Sequence, residues 1–182
     1  MKRHFAVLVL LSTLLFPLSL RAEYYDTTLL TLFSKILPRI VSFSSLAPRE
    51  GEPLGICIVR EDVDAPAAAA FEILLGNAVR RHGIETLQTD FAHIAVCGKR
   101  QLLFVFNAPP ETVSAALASF TSFRPLVAAY DPRLLSAGAD VSLFVGRSVK
   151  PYLNLESLKD KGIRLEAIIL QVSKIYGQEP EQ

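Results

Sequence analysis

Residues 54–83, LGICIVREDVDAPAAAAFEILLGNAVRRHG, decide the fold class. They begin with a short apolar run that ends in charged residues, which predicts a strand buried on both faces of a parallel sheet. Pro66 then stands where the first turn of a helix accepts proline, the alanines have high helix propensity, and Gly83 is a suitable end. The stretch therefore predicts a strand followed by a helix, the repeating unit of α/β proteins.

The residues before this stretch predict another helix. Thr27 to Phe43, TTLLTLFSKILPRIVSF, carry apolar side chains at the spacing of an amphipathic helix. Asp26 or Thr27 can cap its first turn. Because Pro38 has no backbone N–H, we expect the helix to end or kink near Leu37.

The residues after the stretch repeat the alternation of strands and helices. In chain order, IETLQT is a candidate strand, DFAHIAVCGKR a short helix or a loop, QLLFVFN a buried strand, PPETVSAALASF a helix opened by proline, and PLVAAYD a strand. VSLFVG and KPYLNL are separated by only a few residues, which favours an antiparallel hairpin. The whole pattern predicts an α/β fold: a three-layer sandwich with a mostly parallel central sheet and a C-terminal antiparallel hairpin plus helix.

The segment after the hairpin predicts two helices. A short one, from about Leu155 to Lys161, would be closed by Gly162 in the left-handed conformation, with Ile163 making the accompanying apolar contact. The final helix is expected to pack one apolar face onto the sheet. That face consists of Leu165, Ile168, Ile169, Val172 and Ile175.

The N-terminal residues have the pattern of a secretory signal peptide. In MKRHFAVLVLLSTLLFPLSLRA, two basic residues precede an apolar run, and Ala22 is a small residue suited to cleavage. The run from Phe5 to Phe16 is shorter than the roughly 20 residues that a spanning helix needs, so a retained anchor is the less favoured alternative. We therefore expect residues 1–22 to be removed and residues 23–182 to form one domain, consistent with a hydrophobic content of 51%.

The charge of the exported chain argues against a nucleic-acid partner. Cleavage would remove three of the 19 basic residues, leaving 16 against 18 acidic residues and a net charge of −2. This net charge gives no sign of the excess of basic residues that proteins use to bind nucleic acid or an anionic membrane. Two short clusters, Arg80-Arg81-His82 and Lys99-Arg100, are interpreted as solvated loop charge, with a basic binding patch as the alternative.

The two cysteines favour a disulfide because export places them in an oxidising compartment. Cys57 lies in the run LGICIV and Cys97 ends HIAVC. Two buried, unpaired thiols remain the alternative, since free cysteine behaves as a small apolar residue. A redox-active site is not expected, because no Cys-x-x-Cys pair supplies a resolving thiol.

The motifs of common enzyme classes are absent from the sequence. It contains no recognisable spacing of metal ligands, no G-x-S-x-G elbow and neither of the glycine-rich phosphate loops. An enzyme is therefore the poorer hypothesis, and no metal or cofactor is expected.

One acidic cluster is a candidate contact for a ligand or a partner. Glu61, Asp62 and Asp64 follow the first predicted strand, and α/β folds bind ligands at the carboxyl ends of their strands. The plainer interpretation is a solvated loop in which Asp64 caps the following helix.

Several stretches resemble the YfiR-like family of periplasmic proteins. VKPYLNL, followed by a short helix and KGIRLEAIILQV, resembles the end of that family, with Leu153-Asn154 matching the strand end and Gly162 matching the glycine of the motif. SAGADVSLFV resembles its A-G-G-hydrophobic strand, QLLFVF its central strand and SKILPRIVSF its first helix. The resemblance covers most of residues 27–176.

The resemblance implies an exported, commonly dimeric α/β regulator. Such proteins dock on the periplasmic part of an inner-membrane diguanylate cyclase and repress cyclic-di-GMP synthesis, while an outer-membrane lipoprotein sequesters the regulator. Related domains also pair with other membrane sensor proteins. The competing hypothesis is a periplasmic small-molecule sensor that uses the carboxyl edge of the sheet.

Overall fold

The structure, a computed structural model, describes residues 25–78, 83–120 and 123–178. The proposed signal peptide and the Arg80-Arg81-His82 cluster lie outside these ranges. Within them, no helix combines the length and apolar character needed to cross a membrane.

A single sheet organises the described residues. Its seven strands are β1 (Leu54–Val59), β2 (Ile84–Thr89), β3 (Leu102–Val105), β4 (Leu126–Ala129), β5 (Val141–Val145), β6 (Val149–Leu153) and β7 (Lys174–Ile175), in the spatial order β2-β1-β3-β4-β5-β6-β7. Every neighbouring pair is parallel except β5 and β6, which form the antiparallel hairpin. The α/β fold with a mostly parallel sheet and a late hairpin is thus confirmed.

Helices cover both faces of this sheet. On one face lie α1 (Thr27–Ser42), α2 (Ala65–Ala78) and α4 (Leu155–Asp160), whose buried residues join the core built on β1 and β3. The other face carries α3 (Pro110–Leu117) and short 3-10 helices at Ile94–Cys97 and Pro132–Ala137. The two cores arise because successive residues of a strand point to opposite faces: Ile56 and Phe104 face the first, Cys57 and Leu103 the second.

Helix α1 continues past the proline that was expected to stop or kink it. The prediction of an end near Leu37 was wrong, since the helix runs through Pro38 to Ser42. Leu37, Pro38, Ile40 and Val41 are all buried. Burying a large apolar side chain contributes about 1.5–3 kcal/mol, so this packing outweighs the roughly 3 kcal/mol cost of proline in a helix. Asp26 caps the first turn, accepting hydrogen bonds from the N–H groups of Thr28 and Leu29.

The final helix is shorter and less buried than the sequence predicts. Helix α5 spans only Ala167–Val172, and of the expected apolar face only Ile169 is buried, while Ile168 and Val172 are about half exposed. Ser173 adopts an extended conformation, and the chain continues as β7 alongside β6. The free edge of β6 offers backbone hydrogen bonds, such as Tyr176 N–H to Leu153 O at 2.8 Å, that compete with continuation of the helix.

Candidate functional site

The strand order creates a switch point at the carboxyl ends of β1 and β3. The chain goes from β1 to β2 on one side and then crosses to β3 on the other. Connections therefore leave these two strands in opposite directions and open a crevice, which is where open α/β sheets bind ligands. A cleft of about 340 Å³ lies here, bordered by Glu61, Asp64, Asn107, Asp131 and Arg133.

Asp64 is the most buried carboxylate of this edge. It is 3% exposed. Its Oδ2 accepts a hydrogen bond from the Glu61 N–H at 3.3 Å, and its Oδ1 accepts one from the Tyr25 hydroxyl at 3.0 Å. The same hydroxyl accepts a hydrogen bond from the Asn107 N–H at 3.2 Å. Tyr25 therefore joins the loop after β1 to the end of β3, and the Asp64 carboxylate holds Tyr25 at this edge.

The three acidic residues singled out in the sequence do not converge. Glu61 and Asp64 border the cleft, whereas the Asp62 side chain points into solvent and lies 3.4 Å from Arg60 Nη1. Among the described residues, no group of three or more His, Cys, Asp or Glu side chains is arranged to hold a metal ion. The cleft is therefore a mixed polar site and not a carboxylate cage.

Asp131 and Arg133 reach the cleft from the end of β4, and sequence reasoning missed both. Asp131 Oδ2 accepts a hydrogen bond from Arg133 Nε at 2.7 Å, and its Oδ1 accepts the Arg133 N–H at 2.8 Å. Burial opposes ionisation, but the hydrogen bonds and charge of Arg133 outweigh it and lower the pKa of Asp131. The sequence signal that could have identified this site is the Asp131-Pro132 pair at the end of the predicted strand PLVAAYD.

Asn107 contributes an unpaired acceptor at the end of β3. Its Oδ1 is shielded from solvent and receives no hydrogen bond from the part of the chain that the structure describes. The residue also borders an adjoining apolar cleft of about 420 Å³, which includes Leu29, Phe33 and Tyr130. A buried, unpaired polar atom costs about 1–3 kcal/mol, so a ligand donor that reached it would recover part of that energy.

The two cysteines are joined by a disulfide. Cys57 on β1 bonds to Cys97 in the 3-10 helix before β3, with Cα atoms 5.6 Å apart and both residues fully buried. The pairing that the sequence favours is present in the structure. The bond therefore fixes the turn before β3 against β1, the strand that pairs with β3.

A second polar cluster lies at the amino ends of β4 and β5. The carboxylate of Asp140 is fully buried and accepts hydrogen bonds from Val127 N–H at 2.7 Å, Ser157 Oγ at 2.6 Å and Lys161 Nζ at 2.8 Å. Burial raises the pKa of this carboxyl, and the three donors oppose that rise. These groups satisfy one another beside a cleft of about 700 Å³. They fasten α4 to the sheet, which is a structural role.

The family of the chain follows from its match to a known sequence family. The model of the YfiR/HmsC-like family matches residues 32–174, which include all seven strands apart from Ile175. The chain belongs to this family. YfiR-like proteins are periplasmic regulators in cyclic-di-GMP signalling with a membrane-associated partner, and they are not known as enzymes.

Solved structures share the fold of this YfiR/HmsC-like chain at low sequence identity. One is an ABC domain from Streptococcus pneumonia in complex with L-Trp, with a TM-score of 0.55, 12% identity and 78% of this chain covered. Another is a conserved domain protein from Vibrio cholerae O1 biovar El Tor, with a TM-score of 0.58, 12% identity and 80% covered. The chain spans 59% of the length of each. No curated protein matches it significantly.

Proposed function

We propose that this YfiR/HmsC-like protein binds the periplasmic part of an inner-membrane diguanylate cyclase and represses cyclic-di-GMP synthesis. The observation that carries the proposal is the family match over residues 32–174. An outer-membrane lipoprotein that sequesters the regulator would complete the circuit.

The proposal is tested by deleting the gene and measuring cyclic-di-GMP. We expect the nucleotide level to rise on deletion and to fall again when the full-length gene is restored. The matched control is the same deletion in a strain whose partner diguanylate cyclase, identified by co-purification, has an inactivated catalytic domain, where the level should not change. An unchanged level in the first strain, together with no co-purification of a membrane signalling protein, would contradict the proposal.

We also propose that residues 1–22 are a signal peptide removed near Ala22, and that residues 23–182 are one domain. The supporting pattern is the basic start, the short apolar run and the small residue at its end. N-terminal sequencing of the protein recovered from the periplasm should begin close to Glu23. A protein that keeps its first residues and stays in the membrane fraction would contradict this.

A small-molecule sensor is the second candidate function. The crevice at the switch point and the unpaired Asn107 acceptor favour it. A bound ligand stabilises a protein by mass action, so a metabolite panel that includes L-tryptophan is screened by thermal denaturation. Any stabilising compound should lose its effect in Asn107→Ala and keep it in Asn77→Ala, an exposed-helix control. A panel without a stabilising compound would count against the sensor.

A further inference from the structure

The helix layer on one face of the sheet stops short of the C-terminal strands. α3 and the two 3-10 helices pack over β1, β3, β4 and the start of β5. Beyond them, Phe144, Tyr152 and Lys174 are only partly buried, and Lys150 is exposed. In α/β proteins both faces of the sheet are normally covered, so this open portion is a candidate contact surface.

Strand register places two cations and two aromatic rings together on the open portion. Phe144 pairs with Lys150 across the hairpin, and Tyr152 pairs with Lys174 on β7. Lys150 and Tyr152 are two residues apart on β6, so all four side chains lie on the same face. The opposite face carries Leu143 and Leu153, which are buried in the first core.

The aromatic rings hold Lys174 in place. Its Nζ lies 3.7 Å from the centroid of Phe144 and 5.8 Å from that of Tyr152. The two rings are 5.7 Å apart, and Tyr152 is equally far from Tyr176. A cation fixed over aromatic faces loses less conformational freedom when it binds an anion.

No carboxylate among the described residues neutralises the cations of this surface. Arg147 in the hairpin turn, Lys150 and Lys174 border a cleft of about 440 Å³, and the described residues that line it include no Asp or Glu. None of the three cations forms an ion pair or a side-chain hydrogen bond within the described ranges. Arginine and aromatic residues are enriched in protein–protein contacts, and Arg147, Phe144 and Tyr152 supply these residue types here.

Among possible anionic partners, the sheet edge beside the cleft favours an extended polypeptide. β7 is the last strand in the order, so its outer edge has no strand partner among the described residues. Such an edge can pair with an added strand, whose alternate side chains then face the cleft. A lipid surface is flat and gains nothing from this concave cleft or from backbone pairing.

We propose that the surface formed by Phe144, Arg147, Lys150, Tyr152 and Lys174 docks an extended acidic segment of another periplasmic protein. The segment carries acidic side chains at alternate positions and pairs its backbone with the edge of β7. The proposal concerns the chemistry of the docking segment and does not require that the partner be a diguanylate cyclase.

The test uses a displayed library of random 12-residue peptides, selected on the full-length exported protein. We expect the selected peptides to be enriched in Asp and Glu at alternate positions. A synthetic copy of the best peptide should bind at least tenfold more weakly to the Arg147→Glu, Lys150→Glu, Lys174→Glu variant. The peptide in which Asn and Gln replace Asp and Glu should show a similar loss, and added salt should weaken binding.

A charge-matched variant controls for the effect of the protein's overall electrostatic field on peptide binding. Lys35→Glu, Arg39→Glu and Lys159→Glu change the same residue types at exposed positions outside the cleft. This variant should bind the peptide within twofold of the original protein. If the first triple variant does not fold, the Arg147→Glu, Lys150→Glu pair, which leaves Lys174 on its rings, should still weaken binding about fivefold.

Several outcomes would overturn the proposal. Peptides selected without acidic enrichment, or an equal loss in both triple variants, would show that the cleft does not recognise an acidic segment. Phosphatidylglycerol vesicles that bind the original protein but not the cleft variant would assign the surface to a membrane. Dimers that dissociate only in the cleft variant would assign it to a second copy of this chain.

Discussion

Asp140 shows how a single buried charge is accommodated in this fold. Its carboxylate is fully buried, and each of its hydrogen bonds comes from a different part of the chain: β4, α4 and the residue after α4. An isolated buried carboxylate would be strongly unfavourable, so the three donors are needed together. The residue therefore links the sheet to the helix that precedes Gly162.

We expect Asp140→Ala to destabilise the protein by about 3–5 kcal/mol, the usual cost of removing one partner of a buried pair. The change removes the carboxylate that accepts hydrogen bonds from the Val127 N–H and the Lys161 ammonium, and it leaves the ammonium with only the Gly138 carbonyl oxygen at 3.0 Å. The free energy of unfolding is measured in urea. Asp160→Ala, at the exposed last position of α4, should change it by less than about 0.5 kcal/mol. Equal effects of the two changes would contradict the role given to Asp140.

Asp131 gives a prediction for the pH dependence of stability. Arg133 lowers its pKa in the folded protein, so the stabilisation is fully present above the ordinary Asp pKa of about 3.9. It is lost as the pH falls through the lower, folded-state pKa. The difference in unfolding free energy between the original protein and Asp131→Asn should therefore shrink between pH 5 and pH 3. A difference that stays constant over this range would refute the assignment, and Asp160→Asn serves as the control.

At the scale of the element, two glycines in helical surroundings have opposite roles. Gly162 ends α4 with φ of +70°, and the next N–H, that of Ile163, bonds to Leu158 O at 2.9 Å. Gly76 lies inside α2 with no positive φ and open space where a Cβ would stand. The same substitution is therefore expected to have opposite signs at the two positions.

Gly162→Ala should destabilise the protein by about 1–2 kcal/mol, because an L residue is strained in the left-handed conformation. Gly76→Ala should stabilise it by about 0.5–1 kcal/mol, because alanine has the higher helix propensity. Thermal or urea unfolding measures both, and each variant is the control for the other. Two changes of the same sign would show that backbone conformation does not decide the outcome at these sites.

At the scale of the whole molecule, the disulfide connects chain segments 40 residues apart. Cys57 lies on β1, the second strand from one edge of the sheet, and Cys97 in the turn that leads to β3, so the bond encloses β2 and its connections. Because both cysteines have no exposed surface, reduction of the folded protein requires opening of the core.

We expect the Cys57→Ala, Cys97→Ala variant to lose about 4 kcal/mol of stability, the chain-entropy value for a loop of this length. Dithiothreitol should release no free thiols from the native protein and two thiols in denaturant, as counted by mass spectrometry after alkylation. Rapid reduction without denaturant would contradict the buried bond. The same variant in the cyclic-di-GMP assay tests whether the bond also sets regulatory activity.

The sequence by itself determined the features that depend on neighbouring residues. Alternating apolar runs and helix-forming segments predicted the α/β fold, the short gap between two strands predicted the hairpin, and Gly162 marked the end of a helix. These features follow from local backbone preferences and side-chain periodicity, which act over a few residues. Pairing of the two cysteines was favoured because export is expected to place them in an oxidising compartment.

Only the tertiary structure decided what depends on contacts between distant segments. Burial carried α1 through Pro38, and the free edge of β6 drew Lys174 and Ile175 out of the predicted final helix. The strand order brought Asn107, Asp131 and Arg133 to Asp64, and the register brought Lys150 to Lys174. The physical reason is that burial and strand pairing depend on two surfaces in contact. A local sequence pattern describes only one of those two surfaces.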